Sequence, residues 1–389
     1  MRDSKFSMLK LLIAVLLAAV LMAGCASQAG IAEVRATDTP QVTVGEPTAT
    51  PSPAPLTVEQ AVDEFIAPLV NGYFSGAILI AQGDTILVSK GYGMANLEYD
   101  IPNTPQTKFR IASMTKQFTA MAILMLQEQG KLNVQGSICE YLPDCLEAWR
   151  PITIHHLLTH TSGLPGAIPS PEYEGDSFPF LSEMVIEKLE DSPLYPPGER
   201  FSYSNAGYFL LGYIIEKVSG KSYEVYLQDN IFQPLNMVNT GLEKNESVLK
   251  KRASGYQLGL YGLQQAAYTD MRIPYAAGGL YSTVEDLYLW DRALYTEKLV
   301  SQSSLNLIFT PVDAPGLSDW KYGYGWDVGK INDHAMVGHG GNINGFITDI
   351  RRFVDDDMVV IVLSNIENAP MWDKIAPGLW KIALSNLEE

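Results

Sequence analysis

Several things are scarce in this chain of 389 residues. There are only three cysteines and five histidines, and Lys and Arg number 27 against 44 Asp and Glu, a formal net charge of −17. The acidic excess excludes the basic footprint of a nucleic-acid binder and otherwise bears on solubility. His155, His156 and His160 lack a His-Glu-x-x-His spacing and are expected to be structural. With no glycine loop to cradle phosphate and no ligand cluster, no metal and no cofactor are expected. The run Asp355-Asp356-Asp357 has too few oxygen donors in a defined loop for calcium and is expected to be a solvated turn. No internal repeat is visible.

A long hydrophobic run is also missing. The apolar stretch from Leu9 to Ala23 falls short of the roughly 20 residues a transmembrane helix needs. With Lys5 and Lys10 beside it and small residues after it, it has the form of a secretory signal over residues 1–24. Ala23-Gly24-Cys25 resembles a bacterial lipobox, with Met22 departing from the usual residue at its place; the resemblance implies lipidation of Cys25. Residues 25–56 are rich in Pro, Thr and Ala and poor in apolar residues, as a disordered tether would be. The chain is thus expected to be an exported, membrane-anchored lipoprotein on the extracytoplasmic face. In such a compartment Cys139 and Cys145 either close a small disulfide loop or remain two buried thiols.

The folded part is expected over 57–389. Thr57 to Val70 has helical periodicity, with Thr57 and Gln60 spaced as a capping box. Gly76–Ala81 and Thr85–Ser89 flank a Gly-containing turn and form a hairpin signal. Roughly 131–274 is mostly helix and loop, including a helix from Asn205 to Val218. Ser282 and Glu285 have capping-box spacing at another helix start. A second hairpin, Gly345–Phe353 with Met358–Ser364, precedes a terminal helix over Pro370–Leu387. Strands at both ends with helices between them predict an α+β fold: one antiparallel sheet flanked by helices, with an inserted helical region. Trp326 is expected in the core or the cleft wall.

The chemistry centres on Ser113-Met114-Thr115-Lys116, where Ser113 and Lys116 share one helix face at spacing i, i+3. The following run Gln117–Leu126 is apolar enough to be buried. A serine hydroxyl needs a base to become nucleophilic, and burial disfavours a charged lysine. Ser-x-x-Lys alone is a weak signal. Downstream stand Tyr203-Ser204-Asn205 and His339-Gly340-Gly341. The three motifs in this order resemble the penicillin-recognising serine hydrolases, in particular the class C β-lactamase-related group of esterases, D-aminopeptidases and DD-carboxypeptidases. Leu157–Leu164, Pro197–Phe201, Tyr203–Tyr208 and Ala277–Leu280 resemble its other signature stretches.

The resemblance implies a β-lactamase/transpeptidase-like fold with the site between a sheet and an all-helical region. It assigns Ser113 as nucleophile and Lys116 with Tyr203 as the proton-handling pair, in which either a neutral Lys116 or a Tyr203 phenolate stabilised by a charged Lys116 is the base. Asn205 would hold Lys116 or a substrate amide. The backbone N–H groups of Ser113 and Asn342 would form the oxyanion hole. His339 would offer a cation titrating near 6.5, and Gly341 would allow close substrate approach. Gly340 lacks the hydroxyl that a Lys-Thr-Gly motif gives to a substrate carboxylate. This favours an ester or small amide over D-Ala-D-Ala or penicillin. A DD-carboxypeptidase, D-aminopeptidase or β-lactamase is the alternative. Another is a surface module that binds muropeptides or β-lactams without turnover.

Overall fold

A computed structural model describes residues 56–70, 72–143, 145–168, 189, 193–317 and 320–387. The signal segment, Cys25 and the Pro/Thr-rich stretch lie outside them. No helix among the described residues is long and apolar enough to cross a membrane.

The chain opens with α1 (Val58–Ile66), capped by Thr57 and Gln60 in reciprocal hydrogen bonds of 2.9 and 3.3 Å. Strands β1 (Gly76–Gln82) and β2 (Thr85–Tyr92) follow, turning at Gly83 with φ 55°. Next come α2 (Thr115–Glu128), α3 (Ile154–Leu158), α4 (Asn205–Ser219) and α5 (Val284–Ala293). The C-terminal segment adds β3 (Lys321–Tyr322), β4 (Asp327–Ile331), β5 (His334–Ile343), β6 (Phe346–Phe353), β7 (Met358–Ser364) and α6 (Ala376–Ser385). These strands form one antiparallel seven-stranded sheet in the order β3-β4-β5-β6-β7-β1-β2. The N-terminal hairpin therefore docks on the last strand of the C-terminal meander.

Side-chain alternation explains why β1 and β7 are apolar throughout. Ile78, Ile80, Val360 and Val362 enter a core with Val62 and Ile66 of α1 and Leu379 of α6. Leu79, Val359, Ile361 and Leu363 face the opposite core, which includes Phe118 of α2 and Trp290 of α5. A sheet covered on both faces needs no polar side. Helix α2 lies within the second core, so its residues are buried nearly all round. Helix α4 starts at Ser204, whose side chain accepts from Gly207 N, and ends at Gly220 with φ 71°.

Some local expectations are corrected. The cap of α5 is Thr283, which accepts from Asp286 N, because Ser282 is already used as the last residue of a short strand, Leu280–Ser282. Glu285 instead accepts a hydrogen bond from Gln106. Among the described residues from 131 through Phe232 the named elements are all helical, but Gly241–Leu242, Tyr256–Gly259 and Gly262–Gln265 add short strands before 274. The acidic turn is not merely solvated: Asp356 pairs with His334 at 2.7 Å and Asp357 with Arg292 at 2.6 Å. Trp326 is fully buried, edge-on to Phe309. Cys139 and Cys145 are joined in a disulfide.

One buried charge pair ties α5 to the sheet. Arg352 Nε donates to Asp291 Oδ1 at 2.6 Å, and both side chains are essentially inaccessible. Removing one partner strands the other charge without solvent, at a cost of about 3–5 kcal/mol. Asp291→Ala is therefore expected to lower the unfolding free energy by that amount in urea melts. A change below ~1 kcal/mol would show that the pair is not holding α5 in place.

Candidate active site

Ser113 stands in a 3-10 turn, Ala112–Met114, immediately before α2. The turn is held from outside. Ile111 N donates to Leu280 O at 3.0 Å, and Thr348 Oγ1 on β6 donates to Ile111 O at 3.1 Å. Ala112 adopts φ 47°, a conformation that L-residues resist and that surrounding structure must impose. Gly341 on β5 packs directly against this turn, since a Cβ there would come within 2.3 Å of Ile111 O. The glycine thus lets the chain itself approach closely.

Lys116, the second residue of α2, is fully buried. Its Nζ lies 3.2 Å from Ser113 Oγ, 2.8 Å from Asn205 Oδ1 and 2.7 Å from Ala277 O. Burial pushes its pKa well below the usual lysine value, and no carboxylate offsets this. Hydrogen-bond capacity then becomes decisive. A neutral amine has two N–H donors and one lone pair. Asn205 Oδ1 and Ala277 O accept only, so they take both donors, leaving the lone pair for the Ser113 O–H. On the far side, Gly325 at φ 77° packs so closely that a Cβ would stand 2.7 Å from Lys116 O.

Tyr203 is brought to the same point. Its ring centroid is 4.8 Å from Lys116 Nζ. The buried hydroxyl makes no hydrogen bond among the described residues, although Ser113 is near enough to favour its ionised form. Burial outweighs that influence and holds the phenol above its ordinary pKa of 10.0. Burial thus disfavours the Tyr203 phenolate, and it equally disfavours the charged Lys116 that would stabilise one. His160, grouped with the structural histidines, stacks on Tyr203 at 4.2 Å between centroids and accepts from Ser204 N at 3.0 Å. His155 contacts Tyr324 Oη at 2.7 Å, and His156 accepts from Thr153 N at 3.2 Å.

His339 on β5 is buried, with Nε2 3.0 Å from Tyr322 Oη. Burial pushes it down to about 4, with the Asp327 carboxylate opposing the shift. The expected cation is therefore corrected to a neutral imidazole. Gly340 is glycine for a visible reason: a Cβ there would come 2.7 Å from Trp372 Nε1.

Asn342 lies where β5 has a free edge. Ile343 pairs with Phe346 across the two-residue turn Asn344-Gly345. Antiparallel alternation then directs the N–H groups of residues 340 and 342 away from β6. Strand β4 pairs with β5 only as far as Gly338, so the Asn342 N–H has no strand opposite, and Asn342 and Ser113 line the same depressions. Ser113 sits between two depressions. One of about 400 Å³ is lined by Ser113, Asn205, Tyr268 and Asn342. Another of about 490 Å³ is lined by Ser113, Tyr203, Trp320, Asp327, His339 and Arg351. Sequence reasoning missed Ala277 O, a backbone acceptor with no residue signature, and the Asp327–Arg351 pair.

A serine and a buried amine at the seam between a helical region and an antiparallel sheet define the class of β-lactamase/transpeptidase-like serine hydrolases. The family model for beta-lactamase matches residues 62–383, and the chain belongs to that family. It is 33% identical over 297 residues to PbpX of Bacillus subtilis (strain 168), covering 76% of this chain and 71% of that one. It is 31% identical over 312 residues to penicillin-binding protein 4* of the same organism, covering 76% and 68%. The crystal structure of a penicillin binding protein from Bacillus halodurans superposes with TM-score 0.72 at 29% identity, covering 84% of this chain and 98% of that one.

The charge state of His339 is directly testable. Because burial disfavours the imidazolium, its titration midpoint is expected at about 4, with no charge appearing between pH 8 and 5. Carbon-13 NMR of labelled histidine Cε1, assigned with His339→Gln, reads this. A midpoint near the ordinary 6.5 would restore the cation.

Proposed function

We propose that this protein is an exported serine hydrolase that cleaves an ester or small amide through an acyl-enzyme on Ser113. The observation that carries the reading is the buried Lys116 amine, whose two donors are engaged by carbonyl oxygens while Ser113 Oγ stands 3.2 Å away. Ser113 Oγ attacks the carbonyl carbon as Lys116 Nζ takes its proton. The oxyanion is met by the N–H groups of Ser113, free at the start of its helix, and Asn342, on the open edge of β5. The leaving-group bond then breaks, and the departing atom receives a proton through the neutral Tyr203 hydroxyl. Water attacks the acyl carbon, releasing the acid and regenerating Ser113. Asn205 holds Lys116 through Oδ1 and also lines the cleft.

Esters and small amides are favoured because the third motif has neither hydroxyl nor cation for a substrate carboxylate. Trp372 stands where a side chain at 340 would be, and His339 is neutral. The relatives' names, which speak of penicillin binding, favour a β-lactam as the second reading. Export and lipidation at Cys25 rest on the N-terminal sequence pattern.

Intact mass after a fluorophosphonate probe should show one adduct, absent in Ser113→Ala. Lys116→Arg puts a cation that cannot deprotonate in place of the base and should lower kcat/KM on p-nitrophenyl acetate by about 10²–10⁴. In the wild type the rate should climb with pH through the depressed Lys116 pKa and be level well before the ordinary 10.5. Undiminished labelling in Lys116→Arg would remove Lys116 as base. Cephalosporin turnover far above ester turnover would replace the esterase reading with a β-lactamase one.

A further inference from the structure

The depression on the Tyr203 side of Ser113 has an uncommon composition. Two of its walls are indoles that pack only partly: Trp320 is 37% exposed and Trp372 45%. Asp327 and Arg351 also line it, and the covered Asp349 behind Arg351 completes a carboxylate–guanidinium–carboxylate row. Arg351 donates to Asp327 at 2.9 Å and lies 3.0 Å from Asp349. Arg351 and Asp349 are almost wholly covered, whereas the Asp327 side chain is 30% exposed. The second Asp327 carboxylate oxygen carries no hydrogen bond among the described residues. Two carboxylates against one guanidinium leave the row net negative when both are ionised. Among the described lining residues no other charge reverses that, because burial holds the His339 pKa down at about 4.

The chemistry also says which part of a substrate enters here. A group that protonates the leaving atom must stand beside it. Tyr203 lines this depression and not the other, while Asn205 lines the other and not this one. The unpartnered Tyr203 hydroxyl therefore marks the leaving-group side.

From the aromatic walls and the half-engaged Asp327 beside Tyr203, we infer that the enzyme selects substrates whose leaving group carries a positive charge, an ammonium or guanidinium. The cation would sit between the Trp320 and Trp372 faces, which attract it through their π quadrupoles, with Asp327 as its counter-ion. A carboxylate in the same place would meet Asp327 and two indoles, and the Arg351 guanidinium there is already engaged by Asp327 and Asp349. This rests on the acyl-transfer reading above. The bond changes are those already described: Ser113 Oγ–C forms, the bond to the leaving atom breaks, and that atom gains the proton.

Three thioacetates separate the outcomes, each releasing a thiol that a disulfide reagent quantifies. Acetylthiocholine has a cationic leaving group, S-(3,3-dimethylbutyl) thioacetate is its neutral isostere, and S-acetyl-3-mercaptopropionate is anionic. The full-length protein is expected to show kcat/KM about tenfold higher for the cationic ester than for the neutral one, with the anionic ester slowest. Asp327→Asn should bring the cationic-to-neutral ratio close to one, and Trp320→Leu should lower it. Should Asp327→Asn fail to fold, wild-type protein decides, since screening by 0.5 M NaCl should shrink the same ratio. A ratio near one in wild type, a faster anionic ester, or a preference unchanged in Asp327→Asn overturns the inference. Fluorophosphonate labelling of Ser113 distinguishes this from failure of the hydrolase reading: labelling with no cationic preference sinks only the subsite, while no labelling sinks both.

Discussion

The arrangement depends on an amine buried without an acid. Lys116 is as inaccessible as the leucines around it, yet its contacts are a serine hydroxyl, a side-chain amide oxygen and a backbone carbonyl. A charged lysine in that position would have three acceptors and no counter-ion. A neutral one has two acceptors and a lone pair turned to the serine. Desolvation favours the second state, so the fold itself makes the amine basic toward its neighbour. The contributors come from separate parts of the chain: the turn before α2 brings Ser113, α2 brings Lys116, the start of α4 brings Asn205, and Ala277 comes from a short helical turn before α5.

The sheet does the holding. Its central strands are covered on both faces, so β5 and β6 are fixed against the core while one end of β5 stays unpaired beside the Ser113 turn. Thr348 and Gly341 then lock that turn from the sheet side, one by a hydrogen bond and the other by having no side chain. A strained Ala112 persists because these contacts over-determine its conformation.

Much of this was legible from residue types and spacing. The two hairpins, the cap at Thr57 and the three motifs carry local signals that survive folding, because turn chemistry and capping act over a few residues. The α5 cap was misplaced by one residue, since Ser282 and Thr283 are both good caps and only strand pairing with Phe109 decides between them. Charge states were not legible at all. His339 looks titratable in sequence and is neutral because Tyr322, Tyr203 and the sheet desolvate it. Nor could Trp372, more than thirty residues after Gly340, be seen to occupy its side-chain space.

The same core buries other cations, and they show why Lys116 is different. Arg352 is covered as completely as Lys116, but it faces Asp291, and Arg351 faces Asp327 and Asp349. A guanidinium cannot shed its proton in a protein, so a buried arginine has to be accompanied by carboxylates. A lysine has the second option of giving the proton up. Where the fold supplies acids it has arginine; where it supplies only carbonyl oxygens it has lysine. That division separates the side chains that brace the sheet from the one that can exchange a proton with Ser113. It also explains why the acidic groups stand on the sheet side of the cleft, at a remove from the amine whose neutrality they would otherwise undo.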